Sequence, residues 1–497
     1  MIPPVPELRV RAVNELAPSP AGDYVLYWMV AQRRVRWNFG LQRAATWAER
    51  LGRPLLVFEP LRAGYPWASD RLHTFVLQGM HDNAEALAAA GVAYYPYVEP
   101  RPGAGRGLLQ ALATRAAVVV TDDYPAFFLR RMVAAAGRQA QVKLEAVDSN
   151  GLLPLAAADR TFPTAFAFRA FLQKTLVSHL SAFPLADPLV SPALPRSLPV
   201  AAEVTAQWAS VTMGDLRAPQ GLAVRLPIDH GVPAVALRGG AESGGRVLRT
   251  FLDERLERYA EARNQPEEEV ASGLSPYLHF GHVSVHEVFS ALMTRERWTT
   301  RRIGPRASGK REGWWGASPA AEAFLDELIT WRELGYNTCH RTPDYDRYDS
   351  LPRWARETLE AHASDPREHV YGLEAFERGR THDSLWNAAQ TQLVREGRIH
   401  NYLRMLWGKK ILEWTRSPQD ALAIMIELNN KYALDGRDPN SYTGISWVLG
   451  RHDRPWAPER PIFGTVRYMS SENTARKLRV KGYVAKYSGE PRGGPGL

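Results

Sequence analysis

Trp386-Asn-Ala-Ala-Gln390, Gly397-Arg-Ile-His-Asn-Tyr-Leu-Arg-Met-Leu-Trp407 and Lys409-Lys-Ile-Leu-Glu-Trp414 succeed one another in a stretch of helical apolar period, and Leu434-Asp-Gly-Arg-Asp-Pro-Asn440 follows. A helix rises about 1.5 Å per residue with about 3.6 residues per turn, so Trp407 and Trp414 share one face about two turns from each other. Taken singly, each tryptophan is core filling, because indoles are large and usually well buried. Three of them beside an Arg and an Asp make a set suited to relaying electrons.

The helical period extends outward from this stretch. It covers 247–263, 284–295, 320–335, 351–363, 384–396, 401–415 and 418–432, which predicts a mostly α domain over 246–487. Nearer the start, apolar runs at 24–30, 55–59, 92–97, 117–121 and 142–147 alternate with helical patterns at 38–51, 71–90, 108–115 and 125–136. That alternation implies right-handed crossovers and a doubly wound parallel sheet over 1–150. The expected fold class is therefore α/β, with an N-terminal Rossmann-like domain followed by an all-α one. Residues 151–245 read as a long connection, because prolines from Pro184 to Pro233 recur without period and the pairs Gly239-Gly240 and Gly244-Gly245 close it. Residues 299–318, rich in Arg and Gly around Trp314-Trp315, read as an insertion, and 488–497 as a flexible tail.

Bulk composition agrees with two domains, since one core seldom grows past about 250 to 300 residues and the chain has 497. The formal charge of +9 favours a polyanionic partner, because clustered Lys and Arg displace counterions from phosphates. One cysteine, Cys339, excludes an internal disulfide and fits a reducing compartment. The first residues do not read as a secretory signal, and no uninterrupted apolar run reaches about 18 residues. The expectation is a cytoplasmic protein without a membrane span, most simply a monomer.

Gly103-Ala-Gly-Arg-Gly107 sits where a dinucleotide loop would, yet it lacks the G-x-G-x-x-G spacing and reads as a turn. Ser272-Gly-Leu-Ser-Pro-Tyr-Leu-His-Phe-Gly281 is a sharper signal. Small hydroxyl residues ahead of a helix offer hydroxyls and free N–H groups to a pyrophosphate, and Tyr259, Arg263 and Asn264 precede it. His279, His282 and His286 cluster without a Cys or acid at zinc-like spacing, so no metal is expected.

These strings together, with Thr381-His-Asp and Leu403-Arg-Met, resemble those of the DNA photolyases and cryptochromes, most closely the class II cyclobutane pyrimidine dimer photolyases. The likeness covers nearly the whole chain. It implies FAD folded in the helical domain, and an antenna pigment of deazaflavin or folate type as a possible second chromophore in the α/β domain. It places Tyr259, Ser272, Gly273, Leu274 and Ser275 at the FAD phosphates. Arg404 and Asp435 would pair beside the isoalloxazine, next to Gly436 and Arg437, with Asn429 facing flavin N5 and Asn440 as the alternative. Trp386, Trp407 and Trp414 would photoreduce the flavin.

The resemblance also assigns the substrate side. Glu327 and Asn401 would hydrogen-bond the lesion. Trp331, Met405 and Trp447 would line its pocket, and Arg263, Arg454 and Arg467 would contact DNA. Relatives acting on (6-4) photoproducts have histidines where this chain has Asn401 and Met405, so cyclobutane dimers in UV-damaged DNA are the implied substrate. Class II members usually have Gly at position 401, and this chain departs from them there. The implied reaction is an electron lent by excited, reduced FAD and returned after two inter-base bonds break. A cryptochrome-like light sensor would share fold, FAD and tryptophans, but the segment after Gly482 lacks the long extension many sensors use.

Overall fold

A computed structural model describes residues 2–190, 194–196 and 199–489, which fall into two compact units. One comprises the chain up to Asp159 with Thr175–Arg249 and Leu274–Thr300. The other comprises Arg160–Lys174, Thr250–Gly273 and the chain from Arg301 onward.

The first unit is built on six strands: β1 (Val10–Ala12), β2 (Tyr24–Trp28), β3 (Leu55–Leu61), β4 (Ala93–Val98), β5 (Ala116–Asp122) and β6 (Leu144–Val147). Their spatial order is β1-β6-β5-β2-β3-β4. All neighbours run parallel except β1, which lies antiparallel to β6 at the edge. β2 and β5 are buried along their whole length and read as continuous apolar runs, as strands covered on both faces do. Helix α1 (Phe39–Leu51) packs on β2 and β5, and α2 (Asp70–Ala89) on β4. Asn38 caps α1 by accepting from the Gly40 and Leu41 amides.

The chain leaves β2 for β3 and β4 on one side, then returns for β5 and β6 on the other. Open α/β sheets usually receive ligands at such a reversal. Here one carboxylate oxygen of Asp122 accepts from the amides of Val30, Ala31 and Gln32 at 2.9, 2.8 and 3.0 Å, and the other accepts from the Tyr27 hydroxyl at 2.7 Å. The amides that could have cradled a phosphate are used by the protein itself. The Gly103–Gly107 turn is satisfied likewise, with Gly103 and Gly105 amides donating to Glu99.

The second unit is helical. Ser384–Glu396, Asn401–Trp414 and Pro418–Tyr432 match their expected spans closely, and Asp383 and Ser417 cap the first and third. Two helices each contain a π-helical turn, Phe251–Arg255 ahead of Leu256–Ala262, and Asp326–Trp331 between Pro319–Leu325 and Arg332–Arg341.

The stretch 151–245 differs from the featureless connection expected. It contains the helices Ala165–Thr175, Ala202–Gln207, Met213–Arg217 and Pro219–Ala223, and Arg160–Lys174 belongs to the helical unit while most of the rest belongs to the α/β unit. Gly244-Gly245 does not close this stretch but lies inside the helix Ala241–Thr250, where a Cβ on Gly244 would come within 2.3 Å of Val283. Close packing explains that glycine. The expected tail lies outside the described residues from 490 on.

Candidate functional site

Three helices of the second unit converge on the quoted motifs. Arg404, in Asn401–Trp414, donates from Nη2 to Asp435 at 3.0 and 3.3 Å, and its Nε is buried with no protein partner. Nδ1 of His400, one turn earlier, is also buried and unpartnered. Burial pushes that imidazole down to about 4, so it is neutral at physiological pH.

Asp435 sits on a tight loop after Pro418–Tyr432. A Cβ on Gly436 would lie 2.7 Å from the Asn429 carbonyl oxygen, so only glycine fits. Arg437 follows with φ of 64° and donates its guanidinium to the carbonyls of Asn430, Ala433 and Leu434. These bonds tie the loop that presents Asp435 to the end of the helix Pro418–Tyr432. Asn429 is buried, and its Nδ2 donates to the Ser441 hydroxyl at 2.8 Å.

Tyr259 is buried edge-on against Phe251 and Phe324, with the Arg263 guanidinium over its ring, and burial raises its hydroxyl pKa. Ser272 and Gly273 (φ of 71°) end one segment of the helical unit. Leu274 and Ser275, expected beside them, instead open a segment of the α/β unit, where Ser275–His279 forms a single short helical turn.

The tryptophans are arranged as a chain in space whose middle member is not the middle one in sequence. Trp386 stacks parallel to Trp407, with centroids 6.4 Å apart and an interplanar angle of 4°. Trp414 meets Trp386 edge-on, with centroids 6.1 Å apart. Nε1 of Trp386 donates to the Trp407 carbonyl, and Nε1 of Trp407 to Gln390 Oε1, so both indoles are held in orientation. Beyond Trp414 lie His382 at 4.8 Å and Tyr371 at 5.9 Å, and the Tyr371 hydroxyl is 2.9 Å from His382 Nδ1. The three indoles are buried while His382 is exposed, so the aromatic path runs from the interior to water.

Glu327 and Trp331 both lie in the π-helical turn Asp326–Trp331, a distortion frequent at functional sites. Glu327 Oε1 accepts from Arg263 Nη1 at 2.7 Å. Burial pushes its carboxyl above the usual carboxylate range, against the pull of Arg263. Asp453 accepts from Arg467 Nε at 2.9 Å and from Trp456 Nε1 at 3.1 Å. Around it cations and indoles alternate. Lys409 lies 4.9 Å from the Trp447 ring centre and Arg467 5.5 Å, while Arg467 lies 4.0 Å from Trp456 and Arg454 4.7 Å. Arg454 and Arg467 are thus organised on indole faces, each worth about 0.5 to 2 kcal/mol. Asn401 is exposed, and Met405 and Trp447 are partly exposed.

The chain is 35% identical over 485 residues to the deoxyribodipyrimidine photo-lyase of Methanothermobacter thermautotrophicus, covering 97% of this chain and 98% of that one. It is 33% identical over 470 residues to that of Potorous tridactylus, covering 93% and 81%. The chain belongs to the deoxyribodipyrimidine photo-lyase family. It is an enzyme, a lyase, as its motifs led us to expect. No family model matches it. Two solved photolyases share the fold. One is a bacterial class III photolyase from Agrobacterium tumefaciens, with TM-score 0.69 and 18% identity over 95% of this chain and 88% of that one. The other is an archaeal photolyase from Sulfolobus tokodaii solved with two FAD molecules, with TM-score 0.63 and 14% identity over 93% and 90%. Their architecture agrees with the expected α/β sheet followed by helices.

Sequence reasoning missed Tyr371, Lys409, Asp453 and Trp456. His382 lay within a quoted motif, and Lys409 opened another, so only their roles went unread. Asp453 and Trp456 follow the last strong helical period, where no spacing marks them. Among the described residues, no group of three or more His, Cys, Asp or Glu is disposed to hold a metal, and no helix is long and apolar enough to cross a membrane.

Proposed function

We propose that the protein is a light-driven DNA repair enzyme that splits cyclobutane pyrimidine dimers with FAD held in its helical unit. The observation that carries this reading is the spatial run Trp407–Trp386–Trp414, ending inside the protein near the Arg404–Asp435 pair. Trp407 lies about one helical turn past Arg404, and the buried, unpartnered Arg404 Nε and His400 Nδ1 are donor or acceptor sites that a polar cofactor would satisfy. Arg404, Asp435, Asn429 and Gly436 would hold the isoalloxazine, braced by Arg437. Tyr259, Ser272 and Gly273 of the helical unit would serve its phosphates. When bound in reduced form, FAD supplies the photoexcited electron that enters the dimer and returns once both inter-base bonds have broken.

The chain's own residues do the rest. Trp386, Trp407 and Trp414 carry an electron inward from the rim at Tyr371 and His382 and so keep the cofactor reduced. Glu327 and Asn401 hydrogen-bond the flipped-out dimer and stabilise the charge that develops on it. Trp331, Met405 and Trp447 form the apolar walls that receive it, offsetting the few kcal/mol of unstacking. Arg263 positions Glu327, and Arg454 and Arg467 meet the backbone. An antenna pigment in the α/β unit would feed light to the same centre.

The test is a pair of oligonucleotides, one carrying a thymine cyclobutane dimer and one a (6-4) photoproduct, illuminated with photoreduced protein and resolved by chromatography. We expect only the first to revert to intact thymines. Reversion of neither would point to a light sensor, and reversion of the second to a different lesion chemistry.

A further inference from the structure

The stretch read as an insertion, 299–318, contains a compact, closed loop. Its ends clasp where the Gly304 amide donates to the Trp314 carbonyl at 2.7 Å, and Trp314 and Trp315 turn inward and are buried. Its tip is pinned to the helix Ala165–Thr175. The Gly309 amide donates to Gln173 Oε1 at 2.7 Å, Gln173 Nε2 to the Lys310 carbonyl at 2.9 Å, and Arg169 Nη1 to the Gly309 carbonyl at 3.0 Å. Compact surface loops of this kind are frequently functional.

The charge is on the outside. Arg301, Arg302, Arg306, Lys310 and Arg311 are all exposed, against the single carboxylate of Glu312 between residues 301 and 316. The loop is also tied to the helix that bears Glu327. Asp326, the residue before it, is buried and accepts two bonds from Arg169, at 2.7 and 3.1 Å, and pairs with Arg311 at 3.3 Å. Arg311 is near enough to Glu327 to lower its carboxyl pKa. The basic loop therefore stands beside the π-helical turn that carries Glu327 and Trp331, held in place before any partner arrives.

We propose that the loop 301–316 is a second DNA-binding element, a phosphate clamp that grips the backbone flanking the lesion. The proposal rests on the repair reading above and adds a contact surface to it. Arg301, Arg306 and Lys310 each neutralise a phosphate, and Arg311 orients the loop through Asp326. Because the loop is pinned at base and tip, little conformational entropy is lost when it docks. It touches only the backbone and so carries no sequence preference.

The measurement is the binding of the full-length protein in the dark to a labelled duplex with one cyclobutane dimer, across a sodium chloride series. The variant is Arg301→Gln/Arg306→Gln/Lys310→Gln, and the control is Arg101→Gln/Arg106→Gln/Arg138→Gln, three exposed cations of the α/β unit. For the loop variant we expect weaker binding and a slope of log K against log salt shallower by about 2 to 3, from about 0.9 for each phosphate that is no longer neutralised. Its repair rate at saturating duplex and its flavin spectrum should match the wild type, and the control should keep the wild-type slope. An unchanged slope in the loop variant, or an equal fall in the control, overturns the proposal. A wild-type protein that neither binds nor repairs the duplex would instead sink the functional reading itself.

Discussion

Lys409 is completely buried, with Nζ 2.6 Å from the Val448 carbonyl and facing the Trp447 ring. Burial pushes its pKa down from 10.5 to about 7. Between those values the unfolded chain keeps a proton that the folded chain releases, so stability rises with pH across that window. Below about 7 both states are charged and the burial penalty is fully present. Lys409→Met should therefore raise the Tm most near pH 6, by on the order of 2 kcal/mol in stability after the bond to Val448 is subtracted. The gain should vanish toward about pH 10, and a gain that is the same at both pH values would contradict this account. The same substitution loosens Trp447, so affinity for the dimer should fall. A second residue, Arg404, holds Asp435 in a half-buried pair, and Arg404→Ala should cost about 2 kcal/mol and yield protein stripped of yellow colour. Absorbance near 450 nm after purification reads that directly. Among the three indoles, Trp386 touches both others, so Trp386→Phe should abolish photoreduction of oxidised protein while leaving repair by chemically reduced protein intact.

At the scale of elements, the loop from Ala433 to Arg437 and the π-helical turn at Asp326–Trp331 position the site. Gly436→Ala has no room for its methyl beside the Asn429 and Ala433 carbonyls, and the backbone must shift to admit it. It should lose flavin as Arg404→Ala does, even though Arg404 and Asp435 are both present. Elements with a repeating apolar stripe were legible in the sequence, Ser384–Glu396 and Pro418–Tyr432 among them. Pro439–Val448 was not, because it is buried on nearly all sides and has no polar face to set a period. The short helices between 202 and 223 escaped because one or two turns are too few to show a period, and β1 because its three edge residues, none of them buried, carry no alternation. At the site, the sequence singled out Trp386, Trp407 and Trp414, but only the fold shows that Trp386 packs against both others, since tertiary packing and not helix period decides which rings meet. The same limit hid Asp453, whose partners Arg467 and Trp456 lie on a segment without regular structure.

The whole molecule carries a formal charge of +9, and its basic residues are partly gathered into two places, the Arg454–Arg467 ladder and the loop 301–316. A net positive field speeds encounter with DNA, and that advantage fades with salt. The central claim is that this chain lends an electron to a cyclobutane dimer and recovers it. The most direct measurement is anaerobic flash photolysis of fully reduced protein with an excess of dimer-bearing oligonucleotide and no external reductant, following thymine absorbance near 265 nm and the flavin bands together. The account predicts many dimers reverted per protein with the flavin bands unchanged at the end. Loss of one reduced flavin for each dimer reverted, or no reversion while the flavin remains reduced, would contradict it.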